Sequence, residues 1–253
     1  MILLELHQIT KRYKKRSTNK VFWKDSLTFE AVKDVSFQLK EGECMGIIGE
    51  SGSGKSTLAK LIMKLEKTTS GEIRFRSKPI ETIKTFQLYQ QIQLVIQDSN
   101  SVLHPNMNVF QIIQEPVRNF YRNDRLNWDE SCNSLLKMVG LDESLWNLFP
   151  NQLSGGQKQR VCIARALAAK PSLIIFDESV ASLDKEAQQF IINRLKELQL
   201  QEKVSYLFIS HDYDFIREFC DRVAVMYKGE MVDLFNPKEV ENILHPYTRM
   251  LLE

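Results

Sequence analysis

The amino-acid sequence predicts an α/β protein with a parallel sheet at its core, on three observations. An all-apolar run, Leu173-Ile174-Ile175-Phe176, has the unbroken hydrophobicity of a strand covered on both faces. A second apolar run, Cys44 to Ile48, feeds a glycine-containing loop that opens a helical stretch from Ser56 to Glu66. Buried strands and helices then alternate, as they do in parallel βαβ units.

Residues 2–9 and 35–39 read as strands, the latter alternating with period two. Between them, Lys11 to Lys24 is rich in lysine and arginine and reads as a solvated loop. Glu72 to Arg76 alternates like a strand, and Ile92 to Ile96 is a further apolar run. From Asn106 to Asn151 the pattern turns helical, as in Ser134 to Val139 before Gly140, which points to a helical subdomain inserted in the α/β core. Gln157 to Lys170 reads as one helix stopped by Pro171. Lys185 to Leu200 reads as an amphipathic helix, and Val204 to Ile209 as the next buried strand.

At 253 residues the chain suits one large α/β domain, with or without a helical insertion. A hydrophobic share of 43% with 26% charged residues is ordinary for a globular protein, and a net charge of +2 makes no case for a polyanion partner. No apolar run approaches the ~20 residues of a membrane-spanning helix. The opening Met1-Ile2-Leu3-Leu4-Glu5-Leu6-His7 lacks a positive n-region and is broken by Glu5, so it reads as a first strand rather than a secretory signal. The expectation is a cytoplasmic chain, with any pore supplied by another polypeptide. Cys44, Cys132, Cys162 and Cys220 form no C-x-x-C pair and read as buried free thiols.

Of the ten glycines, Gly49, Gly52, Gly54, Gly155 and Gly156 fall in two short motifs. The first, Gly49-Glu50-Ser51-Gly52-Ser53-Gly54-Lys55-Ser56-Thr57, matches G-x-x-x-x-G-K-[ST] in full. Its glycines let backbone N–H groups turn inward around a β-phosphate, and the helix behind adds its dipole. Lys55 is placed to bridge β- and γ-phosphate oxygens, and Ser56 to offer a hydroxyl to Mg²⁺. Asp177 and Glu178 end the apolar strand 173–176, at the edge where open α/β sheets bind ligands. Asp177 is expected to hold Mg²⁺ through water, and Glu178 to act as general base on the attacking water.

The second motif, Leu153-Ser154-Gly155-Gly156-Gln157, opens a helix with Ser154 as a natural N-cap and two glycines baring the first-turn N–H groups. It is an anion site without a lysine. One nucleotide does not need two γ-phosphate sites from one chain, so this motif is expected to face the ATP held by a partner's phosphate loop.

With these motifs the chain resembles the ATP-binding subunits of ABC transporters over almost its whole length. The resemblance implies a phosphate-loop NTPase core with a parallel sheet, an antiparallel β subdomain and an inserted α-helical subdomain. It makes residues 1–253 one ATPase domain, with the core about 1–97 and 158–253 and the helical part about 98–157. It implies that Gln97 is the Q-loop glutamine touching Mg²⁺ and relaying to membrane subunits. Ser182-Leu183-Asp184 is similar to the D-loop, whose Asp184 contacts the opposite subunit. His211 is similar to the switch histidine on the γ-phosphate, and Tyr13 to the aromatic that stacks on adenine. Gln97-Asp98-Ser99-Asn100-Ser101-Val102-Leu103-His104-Pro105 and His245-Pro246-Tyr247-Thr248 are similar to segments of the oligopeptide, dipeptide and nickel importer group. That group implies a sister ATPase, two permeases and an external binding protein as partners, no nucleic acid, and a peripheral place on the cytoplasmic membrane face. Phe22 and Trp23 among the lysines of 11–24 then suit lipid headgroups or a permease loop.

The chain departs from the group where Ser179-Val180-Ala181-Ser182-Leu183-Asp184 replaces the usual P-T-S-A-L-D, which frees a backbone N–H at the turn. It also ends at Glu253 without the cysteine-containing tail of longer peptide-importer ATPases, a feature that leans towards nickel or metal-chelate members. The cargo itself (peptide, nickel or metal chelate) stays open. The rival reading is a soluble ABC ATPase of DNA repair or translation, working without a permease. Repair types separate the two motifs by long coiled coils, and translation types carry tandem domains; neither pattern is present here. A phosphate-loop kinase leaves Leu153 to Gln157 without a purpose.

Overall fold

A computed structural model describes residues 1–14, 28–121, 128–180, 183–240, 243 and 245–252. The chain gathers into two compact units, one of residues 1–40, 45–84 and 210–253, the other of residues 41–44 and 85–209.

The first unit holds two kinds of sheet. Strands β1 (Ile2–Lys14), β2 (Thr28–Lys40), β4 (Ser70–Phe75) and β5 (Lys78–Pro79) form an antiparallel sheet in the order β2-β1-β4-β5. The parallel pair is β3 (Cys44–Ile48) with β9 (Arg222–Tyr227), and β10 (Glu230–Phe235) folds back antiparallel on β9. Helix α1 (Lys55–Ile62) follows β3, α7 (Tyr213–Phe219) precedes β9, and α8 (Pro246–Leu252) comes last. Strands β3 and β9 carry a continuous apolar face, with Met45, Ile47, Val223, Ala224, Val225 and Met226 all fully buried.

The basic stretch was expected to leave the sheet at Lys11, and it does not. β1 runs on to Lys14, pairing there with Val32, Glu30, Phe29 and Thr28 of β2. Arg12 lies opposite Glu30 on β2 and pairs with it at 2.6 Å, while Lys11 reaches Glu66 at 3.0 Å. The remainder of that stretch, with Phe22 and Trp23, lies outside the described residues.

In the second unit β6 (Ile92–Ile96), β7 (Leu173–Asp177) and β8 (Ser205–Ile209) run parallel, with Ile92 opposite Leu173 and Leu173 opposite Ser205. Around them lie α2 (Thr85–Gln91), α3 (Val109–Phe120), α4 (Trp128–Met138), α5 (Gly155–Leu167) and α6 (Lys185–Glu202). Asn108 and Gln111 close a capping box on α3. Asp184 caps α6 by accepting the N–H of Ala187 at 2.9 Å. The centre of this sheet is aromatic. Phe176 stacks on Phe208 with centroids 4.6 Å apart and tilts against Tyr206 at 6.0 Å. The buried Tyr206 hydroxyl is satisfied by the Leu195 carbonyl at 2.9 Å.

The parallel strands, the antiparallel sheet and the helical segments thus agree with the expected fold class. The stretches that form α2, α7, β9 and β10 carry no sequence motif that marks them. The four cysteines are free and buried, as expected. Among the described residues no helix is long and apolar enough to cross a membrane. Phe176 is 1% exposed and immediately precedes Asp177 and Glu178. Phe176→Ala is therefore expected to cost about 3–5 kcal/mol in unfolding free energy, measured by chemical denaturation.

Candidate functional site

The phosphate loop is held by backbone on several sides. β3 is buried along its whole length and delivers Gly49 beneath β9, where a Cβ would lie 2.1 Å from the Met226 carbonyl oxygen. At the other end Gly54 has φ +107°, and a Cβ there would lie 2.2 Å from the Ala31 carbonyl oxygen. No other residue type fits either position without moving a strand. The Ser53 N–H donates to the Glu50 carbonyl at 3.1 Å, and the Gly229 N–H donates to the Ser53 carbonyl at 3.0 Å. α1 begins at Lys55 with no side-chain cap, an arrangement that suits an anion.

Lys55 is 5% exposed, and its Nζ donates to the carbonyls of Gly49 at 2.6 Å and Glu50 at 2.8 Å. Ser51, Gly52 and Ser56 are exposed, and Thr57 is half-buried.

Tyr13 and His211 belong to the same unit. The Tyr13 hydroxyl donates to Glu66 at 2.5 Å, and Lys11 lies 4.9 Å from the ring centroid. Burial and then the Glu66 carboxylate raise the Tyr13 pKa, while a hydrogen bond with the Thr57 side chain lowers it. The same bond from Tyr13 holds the Glu66 carboxyl below its ordinary range. Tyr13 is thus tied to the last residue of the phosphate motif. The Ser210 N–H donates to Ile47 at 3.1 Å, which sets His211, an exposed residue, next to the end of β3. Asp212 then caps α7 through the Phe215 N–H at 3.0 Å.

In the second unit, register assembles the acidic group. Ile96 lies opposite Asp177, and Asp177 opposite Ile209, so Gln97, Glu178 and the end of β8 share one sheet edge. Glu178 has φ +53°, in the left-handed region, with its N–H donating to the Ile209 carbonyl at 2.9 Å. For a non-glycine residue this conformation costs roughly 1–3 kcal/mol, and such strain gathers at functional positions. The sequence carries no sign of it. Gln97 is exposed, and Asp177 and Glu178 are half-buried.

Ser154 caps α5 as predicted. Its hydroxyl accepts from the Gln157 N–H at 3.3 Å, and the Gln157 side-chain oxygen accepts from the Ser154 N–H at 2.8 Å. Gln157 thus belongs to the cap. A Cβ on Gly155 would meet nothing within 4 Å, and one on Gly156 only Leu183 at 3.7 Å. The helix start is joined to the glutamine segment by Lys158, which donates to Asn100 at 2.8 Å, and by Gln159, which donates to the Ile96 carbonyl at 3.3 Å. Leu183 is buried beside Gly156, Asp184 caps α6, and Ser182 lies outside the described residues.

One contact was not foreseen. The hydroxyl of Tyr247, on α8, accepts the N–H of Glu50 at 2.8 Å. The tyrosine stands in the His245-Pro246-Tyr247-Thr248 segment, which sequence reading treats only as a family marker.

Known proteins resemble this chain in fold and in sequence. The ABC transporter family pattern matches residues 32–181. The oligopeptide transport ATP-binding protein AppF of Bacillus subtilis (strain 168) is 41% identical over 255 residues, covering 99% of this chain and 77% of its own length. The nickel import ATP-binding protein NikE of Brucella abortus (strain 2308) is 39% identical over 225 residues, covering 87% of this chain and 84% of its own. Among solved structures, the dimeric bacterial ABC transporter cassette MJ0796 superposes with a TM-score of 0.83 at 32% identity, over 93% of this chain and 99% of that one. The same cassette in a dimeric post-hydrolysis state bound to ADP and Pi gives a TM-score of 0.82. The chain belongs to the ABC transporter family, as one of its ATP-hydrolysing subunits.

Proposed function

We propose that this chain powers an importer of the oligopeptide, dipeptide and nickel group, closing on ATP with a second ATPase and reopening on hydrolysis. The observation that carries the reading is the start of α5: a box-capped helix whose Gly155 leaves open room for an approaching group, on a chain that already has a phosphate loop. Relatives named for oligopeptide transport and for nickel import, at 41% and 39% identity, support the cargo class. The dimeric state of the cassette MJ0796 supports the pairing of two ATPases.

In this reading the N–H groups of 49–57 and the Lys55 ammonium bind the β- and γ-phosphates, and Tyr13 stacks on adenine. The Ser154-Gly155-Gly156-Gln157 helix start meets the γ-phosphate held by the opposite subunit, and Asp184 contacts that subunit. Glu178 takes a proton from the water that attacks the γ-phosphorus. The bond to the β,γ-bridging oxygen breaks, and ADP and inorganic phosphate leave. His211 contacts the γ-phosphate and orients the reaction. Ser56, Gln97 and Asp177 offer hydroxyl, amide and carboxylate oxygens, the donors that Mg²⁺ prefers, and the ion would neutralise phosphate charge.

Gln97 acts as the hinge between γ-phosphate occupancy and a helical subdomain of about 98–157, which passes the motion to two permeases. The chain sits peripherally on the cytoplasmic face of the membrane, and an extracytoplasmic binding protein and the permeases choose the cargo. The second ATPase is a sister subunit.

Lys55→Ala is expected to lose ATP affinity and hydrolysis together, read by equilibrium binding and phosphate release. Glu178→Gln, the same shape without the base, is expected to keep ATP binding and lower turnover by about 10²–10⁴-fold. Near-normal turnover would assign the base elsewhere. Light scattering of Glu178→Gln with and without Mg-ATP tests the partner. A chain that binds ATP and stays monomeric alone requires the sister subunit, whereas an ATP-driven dimer means that an identical copy completes the site.

A further inference from the structure

The His245-Pro246-Tyr247-Thr248 segment has no part in the chemistry above, yet it touches the phosphate loop. Tyr247 is 7% exposed, and its ring stacks on Tyr227 with centroids 4.2 Å apart and planes 26° apart. Its hydroxyl accepts the Glu50 N–H at 2.8 Å. That N–H belongs to the Gly49–Glu50 peptide, whose carbonyl oxygen accepts from the Lys55 ammonium at 2.6 Å.

A trans peptide is planar, with its N–H and C=O pointing in opposite directions. Fixing the N–H on Tyr247 therefore aims the carbonyl at Lys55. We propose that Tyr247 is a positioning residue for the nucleotide site, orienting the Gly49–Glu50 peptide and through it the Lys55 ammonium.

The tyrosine is well anchored for this task. Tyr227 ends β9, and two residues later the Gly229 N–H donates to the Ser53 carbonyl at 3.0 Å, so the segment that carries the partner ring is itself bonded to the loop. Thr248 donates its hydroxyl to Asp233 on β10, and the Tyr247 N–H donates to His245 Nδ1 at 3.3 Å. Arg249 Nε reaches the Ile243 carbonyl at 2.9 Å. Burial raises the Tyr247 pKa, so the phenol stays neutral and brings no charge beside the lysine.

The inference rests on the reading that Lys55 and its loop bind ATP. The test is Tyr247→Phe in the full chain, which keeps the stacked ring and removes the acceptor. Two quantities are measured: hydrogen exchange in the peptide spanning residues 46–54, and the dissociation constant for ATP. Faster exchange at Glu50 together with about fivefold weaker ATP binding, the loss of one neutral hydrogen bond, is the expected result. Wild-type affinity overturns the proposal, with or without faster exchange. Weaker binding with unchanged exchange overturns it too, because the effect then does not run through Glu50. Lys55→Ala separates the two levels. If it loses ATP while Tyr247→Phe binds normally, only the positioning role fails. If it retains ATP, the loop reading itself fails.

Discussion

Close backbone contact around the phosphate loop is the constraint on which the first unit depends. Gly49 lies under the Met226 carbonyl and Gly54 under the Ala31 carbonyl, each too near for any Cβ. The loop therefore keeps its curvature only while β9 stays paired with β3 and the Ala31 region of β2 stays in place. The reverse also holds, since a side chain at either glycine would push a strand away. Carbonyls crowding a loop are also what the lysine requires. A nearly buried ammonium is costly without partners, and the Gly49 and Glu50 carbonyls supply them.

The second unit solves a different problem, that of placing two carboxylates at a sheet edge without burying charge. Phe176, the residue before them, is buried and stacks on Phe208 of the neighbouring strand. Beyond it the backbone turns left-handed at Glu178, which breaks the strand alternation at the residue proposed as base. At α5 the Ser154–Gln157 box satisfies two end groups of the helix reciprocally, which leaves the glycine side of the first turn open to a ligand.

Much of this was legible in the residues. The apolar runs at 44–48 and 173–176 became β3 and most of β7, because a strand buried on both faces must be apolar along its length, and the run at 92–96 became the partly buried β6, which carries Gln93. Ser154 declared its cap through a local pattern completed within three residues. Less legible was β1, whose last four residues, Lys11-Arg12-Tyr13-Lys14, include three basic ones. Its strand character there comes from the ladder to β2, accompanied by ion pairs to Glu30 and Glu66, which no period in β1 itself can report. Asp184 carries a cap that a reading centred on subunit contacts passes over.

The division follows the range of the forces. The chain by itself determined the parts whose partners are close in sequence: the glycine loop before its helix, the capped α5, and the carboxylates that end an apolar strand. Tertiary structure alone decided the rest. Glu50 and Tyr247 are 197 positions apart, Gly49 needs the distant Met226, and the turn at Glu178 is held by Ile209. A contact between residues so separated depends on where the whole backbone has gone, and it leaves no periodic trace in either segment.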